Sequence, residues 1–424
     1  MSSKVNTTKT SGCVPALTPK LRFPEFNGQP VHDVQLKDVT AESTTRNGKS
    51  LAIASVMGVT KVEGIVPMRD RLIASDIARY KIVRKDWFAY NPMRLNIGSV
   101  ARWQGESDIL VSPDYVVFKC VKAGPYGIDP VYLDHFRRSD AWEDFVSEKG
   151  DGSVRIRIYY KDLALLRLAL PPFEEQQRIA SCLSSVGELI AAQARKLDAL
   201  KAHKEGLMQQ LFPRIGETQP RLRFPEFRDD GEWEETRLGK MGELISGLTY
   251  RPDDVREHGL LVLRSSNVQN GEIALLDCVY VDPDIKGANL SLPNDILICV
   301  RNGSTALIGK SALIPEGMPL CTHGAFMTVF RSQTPRFVFQ LFQTSRYQKQ
   351  VAGDLGATIN SINGGQFLRY KFFVPKPPEQ ERIADCLASL DELIAAQTRT
   401  LEVLKTHKKG LMQQLFPSVE RVEA

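Results

Sequence analysis

The stretch Arg178–Pro213, RIASCLSSVGELIAAQARKLDALKAHKEGLMQQLFP, decides the architecture of this chain because it occurs twice. It returns as Arg382–Pro417, RIADCLASLDELIAAQTRTLEVLKTHKKGLMQQLFP, identical at 26 of 36 positions without a gap. A shorter marker, LRFPEF, occupies Leu21–Phe26 and recurs at Leu222–Phe227. The chain is therefore a tandem pair of units, each with a marker, a body of roughly 150 residues and a long helical segment. The two bodies show no evident sequence match, so one repeated frame carries two different inserts.

Apolar residues recur along each repeated segment at alternating steps of four and three. Eight of ten such positions are apolar in each copy, which is typical of a coiled-coil helix. We predict two long helices that pair antiparallel. The seam positions are Ile179, Leu183, Val186, Ile190, Gln193, Leu197, Leu200, Lys204, Leu207 and Leu211, then Ile383, Leu387, Leu390, Ile394, Gln397, Leu401, Leu404, Lys408, Leu411 and Leu415.

The two polar seam residues are the same in both copies. A polar side chain at a core position fixes the register of a coiled coil at some cost in stability. Gln193 and Gln397 lie near the middle of their helices, so we predict that they face each other; the alternative is that both are partly buried and hydrated. Lys204 and Lys408 need no function, since a lysine stem can cover the seam while its ammonium group reaches water.

Prolines mark the ends of both predicted helices. Each helix is expected to open after a Pro-Pro pair, Pro171–Pro172 or Pro377–Pro378, because proline fits the first turn of a helix. Each is expected to end at Pro213 or Pro417, since proline cannot continue a helix.

Composition places the chain among ordinary folded proteins. Its 424 residues are 42% apolar and 25% charged, and no run has the apolar length of a membrane span. The seven cysteines are scattered without a C-x-x-C pair, which favours a reducing cytoplasm and argues against zinc. Residues 1–20 lack an apolar core, so we expect a disordered tail and no signal peptide.

The net charge of +5 says little about either body. Residues 27–170 hold 21 Lys plus Arg against 18 Asp plus Glu, and residues 228–376 hold 16 against 16. Neither body is basic in bulk, so binding to nucleic acid would need a local patch or a partner.

Both bodies are predicted to be mixed α/β with short strands. The expected domains are bodies at 21–170 and 214–376, long helices at 171–213 and 377–417, and tails at 1–20 and 418–424. The predicted strands are Ile109–Cys120, Val154–Tyr160, Leu261–Arg264, Asp295–Val300 and Lys371–Val374, with helix around Arg336–Val351.

Motifs of catalysis are missing from the sequence. There is no phosphate-binding G-x-x-x-x-G-K-[ST] loop and no H-E-x-x-H, and the six histidines are spread singly. Asn91–Arg94, NPMR, shares two residues with the loop of adenine methyltransferases but lacks the aromatic that stacks on a flipped base. We therefore predict a chain that positions another molecule and does not transform it.

Several loops carry side chains suited to DNA. Arginine pairs with guanine, and asparagine or glutamine pairs with adenine, through paired hydrogen bonds. The alternative is that these are turn residues making local hydrogen bonds. The candidates are Arg94, Arg102, Trp103, Gln104, Arg155, Arg157, Arg301, Asn302, Ser304, Asn360, Asn363 and Gln366.

Together these motifs resemble the specificity subunit of type I restriction-modification systems. The resemblance rests on the LRFPEF marker, the entry Pro171–Gln176 with its counterpart Pro375–Gln380, and the exit GLMQQLFP. It also includes Met93–Gly98 and Ser112–Phe118 in the first body, and it covers the chain from Leu21 to Pro417. It assigns no base-contact residue, because the recognition domains of this family vary.

The resemblance implies a non-catalytic subunit that reads double-stranded DNA. Two target recognition domains would read an asymmetric, bipartite target, one half-site each. Two modification subunits would bring S-adenosylmethionine, and two restriction subunits would use ATP and magnesium; no cofactor is expected in this chain. The competing hypothesis is a scaffold in which the coiled coil holds two protein-binding domains without DNA.

Overall fold

The computed structural model describes residues 19–69, 72–123, 126–148, 157–355 and 360–416. The chain forms two compact units, one from Met1–Gln193 with Thr400–Ala424 and one from Ala194–Arg399. Each unit therefore holds one body together with one end of each long helical segment.

Within its described residues, the first body consists of short strands and four short α-helices. Its helices are α1 (Leu36–Val39), α2 (Pro130–Phe136), α3 (Asp140–Glu148) and α4 (Tyr160–Leu163). Its strands are β1 (His32–Gln35), β2 (Thr40–Glu42), β3 (Met57–Thr60), β4 (Gly64–Pro67), β5 (Lys81–Val83), β6 (Phe88–Tyr90), β7 (Val100–Arg102), β8 (Ile109–Val111), β9 (Val116–Cys120), β10 (Lys122–Ala123), β11 (Tyr126–Gly127) and β12 (Arg167–Leu170).

An antiparallel sheet of order β2-β9-β6-β7 forms the centre of the first body. Strands β1 and β12 pair antiparallel and bring the start and the end of the body together. The strand pairs β3-β4, β5-β8 and β10-β11 complete the described sheets of this unit.

The first long helix, α5, spans Phe173–Leu211, and the second, α9, spans Pro377–Leu415. The prediction of two long helices is confirmed. Helix α5 opens after its proline pair as expected, but α9 begins at Pro377, so its pair lies inside the first turn. A missing N–H costs nothing there, because the first-turn donors have no partner within the helix.

The second body has the same central arrangement as the first. Its main sheet has the order β14-β23-β20-β21, all antiparallel, and β13 pairs with β24 as β1 pairs with β12. Its helices are α6 (Pro335–Leu341), α7 (Ser345–Asp354) and α8 (Gly364–Phe367). Its strands are β13 (Glu234–Arg237), β14 (Gly242–Ser246), β15 (Val255–Arg256), β16 (Leu260–Leu263), β17 (Val268–Gln269), β18 (Glu272–Ile273), β19 (Val279–Val281), β20 (Ile296–Cys299), β21 (Ser311–Leu313), β22 (Cys321–His323), β23 (Met327–Ser332) and β24 (Lys371–Val374).

A second four-stranded sheet, β15-β19-β16-β22, distinguishes this body from the first. In it β16 and β22 run parallel, with Val262 opposite Thr322. The mixed α/β fold class is confirmed in both units.

Two strand predictions in the first body are wrong. The expected strand Ile109–Cys120 is two strands, because a turn in which Tyr115 N donates to Ser112 O separates them. Of the expected strand Val154–Tyr160, residues 154–156 lie outside the described part. Residues 157–159 form no strand; Ile158 N bonds to Pro92 O in a neighbouring loop, and Tyr160 starts α4.

The predicted helix around Arg336–Val351 is interrupted between α6 and α7, where Thr344 caps α7 by accepting a hydrogen bond from Tyr347 N. The strands predicted at Leu261–Arg264, Asp295–Val300 and Lys371–Val374 are observed within one residue of their expected limits.

The LRFPEF marker holds the helix ends together in the first unit. Leu21 N donates a hydrogen bond to Gln414 O at the end of α9. The Arg22 guanidinium pairs with the carboxylate of Glu175 in the first turn of α5, at 2.7 Å from Nη2 to Oε2. The Arg22 side chain is 9% exposed and that of Glu175 is fully buried. One short motif thus joins the start of one helix to the end of the other.

The second copy of the marker makes the same contacts in the second unit. Leu222 N donates to Gln210 O at the end of α5, and Arg223 pairs with Glu379 in the first turn of α9 at 2.6 Å. The repetition explains why marker and helix recur together along the chain.

A phenylalanine at each helix end completes the core of each unit. In the first unit, Phe416 lies edge-on to Tyr132 and Phe136, with ring centroids 5.2 and 5.5 Å apart. In the second unit, Phe212 packs on Trp233 and Phe337 at 6.4 and 5.7 Å.

The helix segments run in opposite directions within each unit. In the second unit, Lys204 of α5 contacts Asp391 of α9, and further along α5 Leu211 shares a core with Leu387, earlier in α9. The predicted pairing of Gln193 with Gln397, and coiled-coil packing as such, stay predictions.

Acid should weaken the first unit through His135, which lies buried on α2. Burial, followed by the positive charge of Lys408, lowers the pKa of His135 to about 4; Asp134 opposes this, and Arg138 and Arg102 add to it. The His135 imidazole protonates near pH 6.5 in the unfolded chain and near pH 4 in the folded one. Its contribution to the free energy of unfolding is therefore fully present above pH 6.5. It falls as the pH drops towards 4.

The expected loss between pH 7 and pH 5 is about 2 kcal/mol. Hydrogen exchange of the α2 amides, corrected for intrinsic rates, measures it. In the His135→Gln variant, which carries the residue found at the equivalent Gln340, this loss should disappear. An unchanged pH dependence in that variant would contradict the assignment to His135.

Candidate nucleic-acid interface

Two loops meet at corresponding places in the two bodies. In the first body, the loop between β6 and β7 meets the segment before α4, where Ile158 N donates to Pro92 O at 3.0 Å. In the second body, the loop between β20 and β21 meets the segment before α8, where Ile362 N donates to Val300 O at 2.8 Å. We call these paired loops the reading loops of each body.

The reading loops of the second body, together with the adjoining helix α8, bring together six of the predicted DNA-contact residues. Asn302 N donates to Asn360 O at 3.4 Å, and Asn360 Nδ2 donates to Gly303 O at 3.2 Å. The set that the structure assembles here is Arg301, Asn302, Ser304, Asn360, Asn363 and Gln366.

Several of these amides are engaged in local hydrogen bonds. Asn302 Oδ1 accepts from Ser304 N and its Nδ2 donates to Ser265 Oγ, at 3.0 and 3.1 Å. Asn363 caps α8 by accepting from Gln366 N at 3.2 Å. These asparagines therefore fix loop shape, as the turn-residue alternative holds.

Arg301 has a different environment. It is exposed, and its guanidinium lies 5.8 Å from the ring centre of Phe326, which is itself 58% exposed. An arginine held over an aromatic face keeps its donors free for an anion or a base edge. The sequence pattern did not single out Phe326, because an isolated exposed aromatic carries no periodic signal.

The first body presents two arginines on its reading loops. Arg94 and Arg157 are both exposed, and among the described residues neither guanidinium makes a hydrogen bond or ion pair. Arg155, predicted with them, lies outside the described residues.

Arg102, Trp103 and Gln104 lie at the far end of β7 from the reading loop, yet they share a cavity with Leu95–Gly98 of that loop. Arg102 ends β7 with a side chain only 11% exposed and pairs with Asp86 and, at 3.9 Å, with Asp134. Trp103 Nε1 donates to Ser107 O at 2.8 Å. All three line a cavity of about 920 Å³, and of the three Gln104 is the exposed one.

Comparison with known proteins agrees with this architecture. The family described as type I restriction modification DNA specificity domain matches residues 230–406. The MjaVIII specificity subunit of Methanocaldococcus jannaschii, from a type I restriction enzyme, is 26% identical over 305 residues, 70% of this chain and 71% of the relative. The EcoKI specificity subunit of Escherichia coli is 27% identical over 194 residues, 42% of this chain and 41% of the relative.

Two solved structures share the fold. The S subunit of a type I restriction-modification system from M. genitalium superposes with a TM-score of 0.61 at 14% identity, covering 95% of this chain and all of that one. A chain from a structure on complex assembly and conformational transition of the type I system superposes with a TM-score of 0.51 at 19% identity. The match covers 92% of this chain and 98% of that one.

These findings confirm the resemblance drawn from the repeated motifs: residues 230–406 match the type I specificity domain, and the relatives that align over most of the chain are type I restriction enzyme specificity subunits. The predicted function of a DNA sequence-specificity subunit is confirmed as well. The alternative of a scaffold without DNA finds no support. Across the described residues, no helix is long and apolar enough to cross a membrane.

Proposed function

We propose that this chain reads an asymmetric, bipartite DNA target with one recognition domain for each half-site, and that it has no catalytic activity itself. One observation carries the proposal. The two bodies share a sheet order and paired reading loops, yet the side chains on those loops differ. Two readers of one design with different surfaces suit two different half-sites.

The proposal extends to partners and location. Relatives named as type I restriction enzyme specificity subunits support an assembly with other subunits of such a system. We propose two modification and two restriction subunits, in the cytoplasm. S-adenosylmethionine, ATP and magnesium would be bound by those partners. Co-expression with the modification subunit and mapping of methyladenine tests this: one interrupted, asymmetric motif is expected. Methylation without a sequence motif, or none in a stable complex, would contradict the proposal.

Arg301 is expected to contribute directly to one half-site. Replacing it with alanine should cost about 1–3 kcal/mol of binding and relax the sequence requirement at one position. Methylation mapping and DNA titration at fixed salt measure the two effects. Lys286→Ala, which removes an exposed positive charge elsewhere in the same unit, should leave the motif unchanged. Relaxation in both half-sites at once would argue against one domain per half-site.

A further inference from the structure

The two units can be compared position by position where their helices correspond. Pro130 of α2 matches Pro335 of α6, which places Arg138 at the position of Gln343. The repeated helices place Gly187 at the position of Asp391 and Lys408 at that of Lys204. The same lysine therefore has different neighbours in the two units.

In the second unit, the lysine is neutralised within the chain. Lys204 Nζ donates to Asp391 Oδ1 at 2.6 Å and to Gln343 Oε1 at 2.8 Å. Gln340 Nε2 donates to the other oxygen of the same carboxylate at 3.1 Å. The Lys204 side chain is 9% exposed, so its charge is buried and paired.

In the first unit, the equivalent lysine has lost its carboxylate. Gly187 replaces the aspartate, and a Cβ atom added there would lie 2.9 Å from Lys408 Nζ. Arg138 replaces the neutral glutamine. Among the described residues, Lys408 Nζ makes no hydrogen bond or ion pair. Burial and then the charge of Arg138 lower the pKa of Lys408, and the carboxylate of Asp134 opposes them without reversing the shift, so a closer anion would stabilise this ammonium.

A cavity of about 470 Å³ opens beside Lys408. Its basic lining residues outnumber its acidic ones, four to two, and it also has an apolar wall. The basic residues are Arg138, Lys405, Lys408 and Lys409; the acidic ones are Asp140 and Glu143; the apolar wall includes Ile190, Met412 and Phe416.

We infer that this cavity binds an acidic side chain, flanked by an apolar one, of the modification subunit, whose carboxylate takes the place that Asp391 holds in the second unit. The inference rests on the proposed function for the identity of the partner. The second unit of this chain provides the precedent, because there the carboxylate of Asp391 binds Lys204, the counterpart of Lys408. The apolar wall disfavours a DNA backbone, since a phosphate chain offers little apolar surface to cover it.

Carbodiimide cross-linking of the full chain with the modification subunit tests the contact directly. The reagent takes up the water lost when a carboxylate and an amine condense to an amide. Mass spectrometry is expected to find Lys408 joined to an aspartate or glutamate of the modification subunit. The link should vanish in Lys408→Met and persist in Lys201→Met, which removes an exposed lysine of α5.

A second variant fills the site from within. Gly187→Asp supplies the carboxylate found in the second unit and should weaken binding of the modification subunit about tenfold, as expected for loss of one close charge pair. Ser185→Asp adds the same charge at an exposed position on the same helix and should leave affinity unchanged.

The outcomes separate the two proposals. A wild-type chain that binds no modification subunit would contradict the proposed function and this inference with it. A normal complex in which Lys408 forms no cross-link and Gly187→Asp binds equally well would overturn the inference alone. Protection of Lys408 from amine-reactive labelling by DNA, without the modification subunit, would overturn the choice of a protein carboxylate.

Discussion

Replacing Glu175 with alanine is expected to cost the first unit about 3–5 kcal/mol of unfolding free energy, because it strands a nearly buried arginine. Glu175 is fully buried and accepts three hydrogen bonds, at 2.7–3.1 Å, from the Arg22 guanidinium. Urea denaturation followed by hydrogen exchange in the first body measures the loss.

A second ion pair at the same junction provides the control. Glu25 lies 3.8 Å from Arg178, and their side chains are 52% and 62% exposed. Exposed ion pairs of this kind contribute at most about 1 kcal/mol to the free energy of unfolding, so Glu25→Ala should lower it only slightly. The double variant Arg22→Met, Glu175→Leu should lose less than Glu175→Ala, since it leaves no buried charge. Equal losses in Glu175→Ala and Glu25→Ala would show that burial is not the cause.

A chain ending after Pro213 is expected to form a homodimer. It keeps α5 and the first body but lacks Phe416, which packs on Tyr132 and Phe136. Phe212 is the equivalent residue at the end of α5, so the α5 end of a second copy can fill that place. With the modification subunit, the dimer should methylate a symmetric, interrupted palindrome built from the first half-site.

Sedimentation and methyladenine mapping check both parts of this prediction. Phe212→Ala in the shortened chain should abolish dimerisation, because each interface loses a buried aromatic worth about 3–5 kcal/mol. The same substitution in the full chain affects only the core of the second unit. A stable dimer that methylates an asymmetric site would contradict paired reading.

The long helices could be predicted because their signal is local and repeated over more than four heptads. The strands Leu260–Leu263 and Lys371–Val374 were equally accessible, as short apolar runs between turns. The residues 157–159 could not be assigned in this way. Their backbone conformation follows from the bond of Ile158 to Pro92, a contact that no local pattern reveals.

The residue types of the candidate site could be predicted from the sequence, but which of these residues lie together in space could not. Arg301 and Asn360 were both chosen for their chemistry, yet their shared surface depends on hydrogen bonds across more than fifty residues. Arg102 was chosen for the same reason, but Asp86 and Asp134 hold its guanidinium. Whether an arginine is free for DNA depends on neighbours that only the fold supplies.

Because Phe416 completes the core of the first unit, the two units must fold in a fixed order during translation. The second unit, residues 194–399, is continuous and can close once those residues have left the ribosome. The first unit must wait for residues 400–416, which at translation rates of roughly 5–20 residues per second follow Pro213 by about 10–40 s. The amino-terminal unit therefore closes last. Until then, its open aromatic site faces the nascent chains of neighbouring ribosomes on the same messenger.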